Sequence, residues 1–207
     1  MIKTLFGGKA AIVAVFILLA VNPFISNLYL VYIGNLMLIY IILSLGLNLL
    51  IGTAGQIALA HAGMFGIGAY ATGLLYVDLG VPFIIAALMG AVIASAIGTL
   101  LALPALRLSG MYLALATLAF AQATAWVFSN WDSVTHGAGG FSIAPVSFAP
   151  LPVSSELGMY FLSWAVCIAL FVFAWNLQSS RLGRALIAMR DNDVAAQALG
   201  INLLRHK

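Results

Sequence analysis

Long apolar runs alternate with short polar breaks along this sequence, and none of the runs contains a charged residue. Charged residues make up 6% of the chain and hydrophobic residues 64%, whereas a soluble domain carries charge on roughly a quarter of its positions. The mean hydropathy is +1.15. A chain of this composition cannot cover a water-facing surface, so the sequence predicts a protein that is solvated by a lipid bilayer.

The length of the runs indicates how many helices cross the bilayer. A spanning helix needs about 20 predominantly apolar residues. By that measure the sequence predicts six spans, near residues 10–26, 28–51, 57–77, 81–103, 109–129 and 158–178. No internal repeat or low-complexity linker separates them. We therefore expect an all-α, polytopic transmembrane helical bundle that forms a single domain over residues 1–207.

The basic residues all fall on one side of such a bundle. They are Lys3, Lys9, Arg107, Arg181, Arg184, Arg190, Arg205 and Lys207. The breaks on the opposite side hold Asp78, Asp132 and Glu156 and no lysine or arginine. Because lysine and arginine resist translocation, this bias predicts an inner-membrane protein whose N-terminus is cytoplasmic. Residues 131–157 would then face the periplasm and residues 179–207 the cytoplasm. The formal charge of +3 reflects these juxtamembrane residues and indicates no nucleic-acid partner.

Residues 44–73 combine polar side chains with many glycines inside apolar runs. Polar residues within a membrane are costly and usually face a bundle interior or a transport pathway. Glycines let helix backbones approach closely. Pathway contact and helix packing both remain open for these residues, of which the candidates are Asn48, Gln56, His61, Gly63 and Gly66. The tetrapeptide at 52–55, Gly-Thr-Ala-Gly, can also interrupt a helix, which is allowed at membrane depth only where backbone is buried or lines a water-filled cavity.

The sequence gives little support for enzyme chemistry. No Ser–His–Asp set or HExxH pair accompanies His61, so no catalytic residue is assigned. Gly7–Gly8–Lys9 lacks the earlier glycine and the following Ser or Thr of a phosphate loop, so we expect no bound nucleotide. The single cysteine, Cys167, lies in an apolar run as a packing residue, and no metal or other cofactor is expected. The spans contain no acidic residue of the kind that ion-coupled carriers use, so any energy for transport would come from a partner that hydrolyses ATP.

The C-terminal segment, residues 179–207, has the pattern of short helices outside the membrane. Leu182, Ala185, Leu186 and Met189 share one helical face. Asp191–Asn192–Asp193 interrupts this pattern and offers N-caps for a second short helix over 194–199, which Gly200 would end. Such a helix suits insertion into a groove of another protein. An ordinary juxtamembrane helix explains the same residues.

Two long stretches resemble a known family. Residues 47–75, LNLLIGTAGQIALAHAGMFGIGAYATGLL, are similar to the signature of branched-chain amino acid ABC transporter permeases, in particular the LivM-like subunits. Residues 180–202, SRLGRALIAMRDNDVAAQALGIN, resemble the cytoplasmic coupling segment of that family. The Glu-Ala-Ala-x-x-x-Gly pattern of ABC importers is matched at Ala195, Ala196 and Gly200, with Val194 in the position of the glutamate.

The resemblance implies one permease subunit of an ATP-driven importer for leucine, isoleucine and valine. It further implies a second, homologous permease, two cytoplasmic ATPase subunits and a periplasmic substrate-binding protein as partners, with no enzymatic reaction in this chain. The candidates that it implies for coupling to the ATPase are Arg184, Arg190, Asp193, Ala195, Ala196 and Gly200.

Two other functions remain open. A urea or short-chain amide permease of the same superfamily shares these motifs, and a membrane scaffold without a transport path is a more distant alternative. Family members continue for further spans after the coupling segment, so we expect this chain to be a C-terminally truncated permease.

Overall fold

The computed structural model describes residues 27–105, 108, 110–143, 145, 146, 155–192 and 196, together with residues 16, 19, 20, 22 and 23. Helices make up the regular structure of these residues, with no strand among them, which confirms the all-α class. The elements are α1 (Leu28–Leu47), a π-helix (Asn48–Thr53), α2 (His61–Val77), α3 (Phe83–Ala105), α4 (Met111–Asn130), α5 (Asp132–Thr135), a 3-10 turn (Gly137–Gly139), α6 (Ser155–Ser179) and α7 (Arg181–Asp191).

Four helical stretches within the described residues are long and apolar enough to cross a membrane. They are Leu28–Thr53, Phe83–Pro104, Met111–Asn130 and Ser155–Ser179. The protein is therefore a multi-pass helical bundle, as its sequence predicts. The predicted span at 10–26 lies largely outside the described residues, and the one at 57–77 corresponds to the 17-residue helix α2. The total of six spans stays a prediction.

The chain divides into two compact units. One comprises Met1–Gly46 and Pro145–Asn176, and the other comprises Leu47–Ala144 and Leu177–Lys207. The division reflects how the residues contact one another. The expectation of one permease domain over residues 1–207 stays a prediction.

The first unit has a small apolar core in which Leu38, Tyr160 and Cys167 are fully buried. Tyr160 donates a hydrogen bond of 2.5 Å from its hydroxyl to the carbonyl oxygen of Leu19. Because nothing in lipid can pair a phenolic hydroxyl, this bond removes the cost of placing Tyr160 in the core. Cys167 fills space beside it, in agreement with its interpretation as a packing residue.

The second unit is held together by small residues on α2, α3 and α4. Gly90 of α3 is buried so closely against α2 that an added Cβ would overlap the hydroxyl of Thr72 and lie 3.0 Å from the carbonyl oxygen of Gly68. On the other side of α2, Tyr70 stacks on Phe128 of α4, with ring centroids 4.1 Å apart. Helices without side-chain bulk gain van der Waals contact by close approach, which is the main attraction available between helices in lipid.

Candidate functional site

The signature region of the sequence contains a break in the helix. The π-helix ends with a hydrogen bond of 3.1 Å from the N–H of Ala54 to the carbonyl oxygen of Leu49. Gly55 then adopts a φ of +67°, which glycine reaches without strain. The chain stays non-helical until α2 begins at His61. An interruption is therefore present, but it begins at Ala54, because Gly52 and Thr53 still belong to the π-helix.

One predicted boundary is wrong as a result. The apolar run predicts a helical span from residue 57, whereas residues 57–59 have no helical structure. The backbone N–H of Leu59 donates a hydrogen bond of 2.9 Å to the hydroxyl of Thr117 on α4, not to a carbonyl of a preceding helical turn. A tertiary contact thus overrides the local hydropathy. Thr117 was not singled out from the sequence, because a threonine in an apolar run is common and carries no signal of its own.

Helix α7 packs against this break through Arg190. The Nη1 of Arg190 donates a hydrogen bond of 2.5 Å to the carbonyl oxygen of Gly52. The aliphatic stem of the same side chain covers Gly55, where an added Cβ would overlap the Cγ of Arg190. Asp191 accepts hydrogen bonds of 3.3 Å from the Nε and 3.1 Å from the Nη2 of Arg190. The guanidinium is thereby held between a carboxylate and the end of the π-helix.

A second contact joins the end of α6 to the π-helix. The side-chain amide of Gln178 donates a hydrogen bond of 3.3 Å to the hydroxyl of Thr53, which is 4% exposed. Asn48, one of the candidate residues, lies beside this point, because its Oδ1 occupies the space that a Cβ on Gly52 would need. Gln178 was not singled out from the sequence either. The available signal was that Gln178 is a polar residue at the end of an apolar run.

The start of α7 is fixed by a local cap. The hydroxyl of Ser180 accepts a hydrogen bond of 3.2 Å from the N–H of Gly183 and donates one of 2.6 Å to the carbonyl oxygen of Leu177. An added Cβ on Gly183 would overlap the carbonyl oxygens of Leu177 and Gln178, so only glycine fits. Arg184 donates a hydrogen bond of 2.9 Å to the carbonyl oxygen of Ser179 and is exposed. These contacts fix the turn between the last residues of α6 and the start of α7.

The remaining pathway candidates occupy the start of α2. His61 is its first residue and is half-buried, as is Gln56 within the non-helical segment. A Cβ on Gly63 would lie 3.2 Å from the backbone of Ala121, and one on Gly66 would lie 2.8 Å from the ring of Phe128. Both glycines therefore sit where α2 crosses α4, a geometry that favours packing for these two residues.

The C-terminal part of the predicted coupling segment is described only in part. Helix α7 ends at Asp191, as the sequence predicts, with Met189 buried and Leu182 exposed. Ala196 is 2% exposed, and its N–H donates a hydrogen bond of 3.0 Å to the carbonyl oxygen of Asn192. The candidates Asp193, Ala195 and Gly200, and the rest of the short helix expected at 194–199, lie outside the described residues.

A third contact joins two loops that the sequence assigns to the opposite side of the membrane. The Nε2 of His136 lies 3.8 Å from the Oδ1 of Asp78, and both side chains are 47% exposed. In the predicted topology, Gly52 and Arg190 both lie on the cytoplasmic side, and Asp78 and His136 both lie on the periplasmic side. Each of these two contacts therefore joins residues that the topology places on the same side of the membrane. Among the described residues, no three metal-ligating side chains lie close enough to hold an ion.

Known proteins resemble this chain along most of its length. A family model described as "Branched-chain amino acid transport system / permease component" matches residues 29–207. The high-affinity branched-chain amino acid transport system permease protein LivM of Escherichia coli (strain K12) is 31% identical to this chain, in an alignment that covers 96% of this chain and 52% of that protein. The protein of the same name from Salmonella typhimurium (strain LT2) is 30% identical over the same shares of both chains.

The chain spans about half the length of these relatives, as the covered share of 52% shows. No solved structure matches it. The family model covers the described helices from α1 onward, including the helix break and the α7 segment that packs on it. The protein therefore belongs to the family of branched-chain amino acid transport system permease components.

Proposed function

We propose that this chain is a permease subunit of an ATP-driven importer in a bacterial inner membrane, and that its substrates are leucine, isoleucine and valine. The observation that carries the proposal is the family match over residues 29–207. The partners would be a second, homologous permease, two cytoplasmic ATPase subunits and a periplasmic binding protein. The chain itself would change no bond in the substrate and would have no enzymatic activity.

The mechanism that this assembly supports is alternating access. ATP binding closes the ATPase dimer, and cytoplasmic helices of the permeases follow that movement. Helix α7 suits this role because Arg190 bonds the π-helix at Gly52. We call the π-helix and the non-helical residues 54–60 that follow it the broken signature helix. A transport path needs water-accessible polar groups within an apolar bundle, and Gln56 and His61 supply such groups beside non-helical backbone. These two residues would contact substrate or line its path.

The test is purification of the tagged chain from its native membrane, identification of the co-eluting subunits, and reconstitution of that complex in vesicles. We expect an ATPase and a second permease to co-elute, and ATP-dependent uptake of labelled leucine in the presence of the binding protein. Uptake of labelled urea or a short amide, with no uptake of leucine, would assign the complex to the other branch of the superfamily. A homo-oligomer without ATPase would contradict the proposal and favour a scaffold.

A further inference from the structure

In the predicted topology, the helix break lies near the membrane surface that is opposite Asp78. Helix α2 has 17 residues and ends at Val77, directly before Asp78. At 1.5 Å per residue it is about 25 Å long, whereas the hydrocarbon core is about 30 Å thick. If that topology sets Asp78 at one surface, His61 would lie within roughly 5 Å of the other. Residues 55–60 would then enter the hydrocarbon region as non-helical backbone.

Backbone of this kind requires hydrogen-bond partners from elsewhere in the protein. The last carbonyl groups of a helix have no partner within it and carry a partial negative charge. The carbonyl of Gly52 belongs to this set, and it accepts its hydrogen bond from Arg190 across 138 residues of sequence. A cation at the C-terminal end of a helix is favourable, and a hydrogen bond from a charged donor is stronger than a neutral one.

We propose that Arg190 is a positioning residue that fastens the broken signature helix to α7, so that a displacement of α7 moves the pathway segment 55–60. This inference rests on the proposed function. Arg190 engages three groups together: it bonds the carbonyl of Gly52, its stem covers Gly55, and Asp191 fixes its orientation. The far end of the segment is tied to α4 through Leu59 and Thr117. In the described contacts the segment is thus held at both ends, by α7 at Gly55 and by α4 at Leu59, and α7 is the helix that the sequence assigns to the cytoplasm.

The planar fork of arginine is essential to this role. Lysine retains the positive charge but is a single point donor, and it cannot bond Asp191 and the carbonyl of Gly52 in the same fixed geometry. Attraction to lipid phosphate, or orientation of the chain in the membrane, would require only the charge of Arg190. Arg190→Lys therefore separates the proposed role from both. Arg181→Gln is the matched control, because Arg181 is an exposed arginine at the start of the same helix and its replacement removes one positive charge from α7.

Gly55 offers an independent variant. Gly55→Ala would push the stem of Arg190 away, and it would also strain a backbone with φ of +67°. Gly80 has a φ of +62° and no atom within 4 Å of an added Cβ, so Gly80→Ala imposes the backbone strain without displacing a neighbour. The difference between the two variants reports the contact with Arg190.

The first readout is the rate at which a maleimide labels Ala60→Cys in the membrane-inserted chain. Ala60 is 6% exposed at the end of the segment, and the native Cys167 is fully buried and so stays silent. We expect Arg190→Lys, Arg190→Gln and Gly55→Ala to increase this rate roughly tenfold, which is the effect on local opening of losing one charge-assisted hydrogen bond. Arg181→Gln and Gly80→Ala should leave the rate within about twofold of the parent.

The second readout is the number of ATP molecules hydrolysed per substrate molecule transported by the assembled complex. We expect this ratio to rise in the three variants that loosen the segment and to stay constant in the two controls. A parental labelling rate and ratio in Arg190→Lys would overturn the proposal, because charge alone would then suffice. Failure of the proposed function is distinguishable: the unmodified chain would co-purify with no ATPase, while the labelling readout would still test the contact.

Discussion

The hydroxyl of Thr117 accepts a hydrogen bond of 2.9 Å from the backbone N–H of Leu59 and donates one of 2.8 Å to the carbonyl oxygen of Leu113. Thr117, which lies in α4 and is 4% exposed, thus pairs with a backbone N–H of a non-helical segment that lies 58 residues earlier in the sequence. Lipid offers no replacement partner for that N–H group. The contact explains how the non-helical segment between the π-helix and α2 is tolerated in this bundle.

Thr117→Val should destabilise the segment that contains Leu59. Valine has nearly the same shape but cannot accept a hydrogen bond, and an unsatisfied buried donor costs about 1–3 kcal/mol. We expect faster amide hydrogen exchange over residues 55–60 and a lower thermal midpoint in detergent. Thr117→Ser keeps the hydroxyl and should exchange at the parental rate. Equal exchange in the valine and serine variants would show that the hydrogen bond has no energetic role.

Gly90→Ala should separate α2 from α3, because a Cβ at this position overlaps Thr72 and approaches the backbone of Gly68. Overpacking at such a contact costs about 1–3 kcal/mol. Gly98 on the same helix is the control, since its added Cβ would lie 3.7 Å from the sulfur of Met64, at ordinary contact distance. We expect a lower thermal midpoint for Gly90→Ala and an unchanged or higher one for Gly98→Ala, which also gains helix propensity. The reverse order would contradict the packing described for these helices.

His61→Leu should impair uptake while leaving the complex assembled. A polar contact between membrane helices is worth only about 0.6–2 kcal/mol, so its loss should not prevent assembly. A residue that lines the pathway, in contrast, affects every transport cycle. The measurements are labelled-leucine uptake and recovery of the co-purifying subunits, with Met64→Leu, one turn further along α2, as the control. A fall in assembly that matched the fall in uptake would assign His61 to packing.

The orientation of the bundle can be tested with single cysteines. Ser133 lies in α5 and Leu182, which is 52% exposed, lies in α7. We expect an impermeant thiol reagent to label Ser133→Cys in intact spheroplasts and Leu182→Cys only after permeabilisation, because the basic residues of α7 favour the cytoplasm. The fully buried Cys167 need not be removed for this experiment. Labelling of both positions from one side would refute the predicted alternation of spans.

The class of the protein follows from the sequence because lipid imposes simple rules. A helix must supply enough apolar residues to cross the bilayer, and charged residues must stay at the surfaces. These rules predict the all-α bundle and the approximate bounds of α3, α4 and α6. A helix break near Gly55 was also predictable, because two closely spaced glycines at the end of an apolar run permit an interruption there.

The partners of the broken segment were decided by the tertiary structure alone. Nothing near Gly52 in the sequence indicates that its carbonyl pairs with Arg190, and nothing near Leu59 indicates Thr117. Hydropathy measures the preference of a side chain for lipid over water, whereas these hydrogen bonds depend on which helices become neighbours. Arg190 was singled out as a positive charge that would contact an ATPase or orient the chain, and the fold places its guanidinium on the signature helix instead of leaving it free. The sequence therefore determines that this chain crosses a membrane and that its helix breaks near Gly55. The packing of α7 and α4 determines how far the break extends and what holds it in place, because a backbone group removed from water takes whichever partner the fold brings within reach.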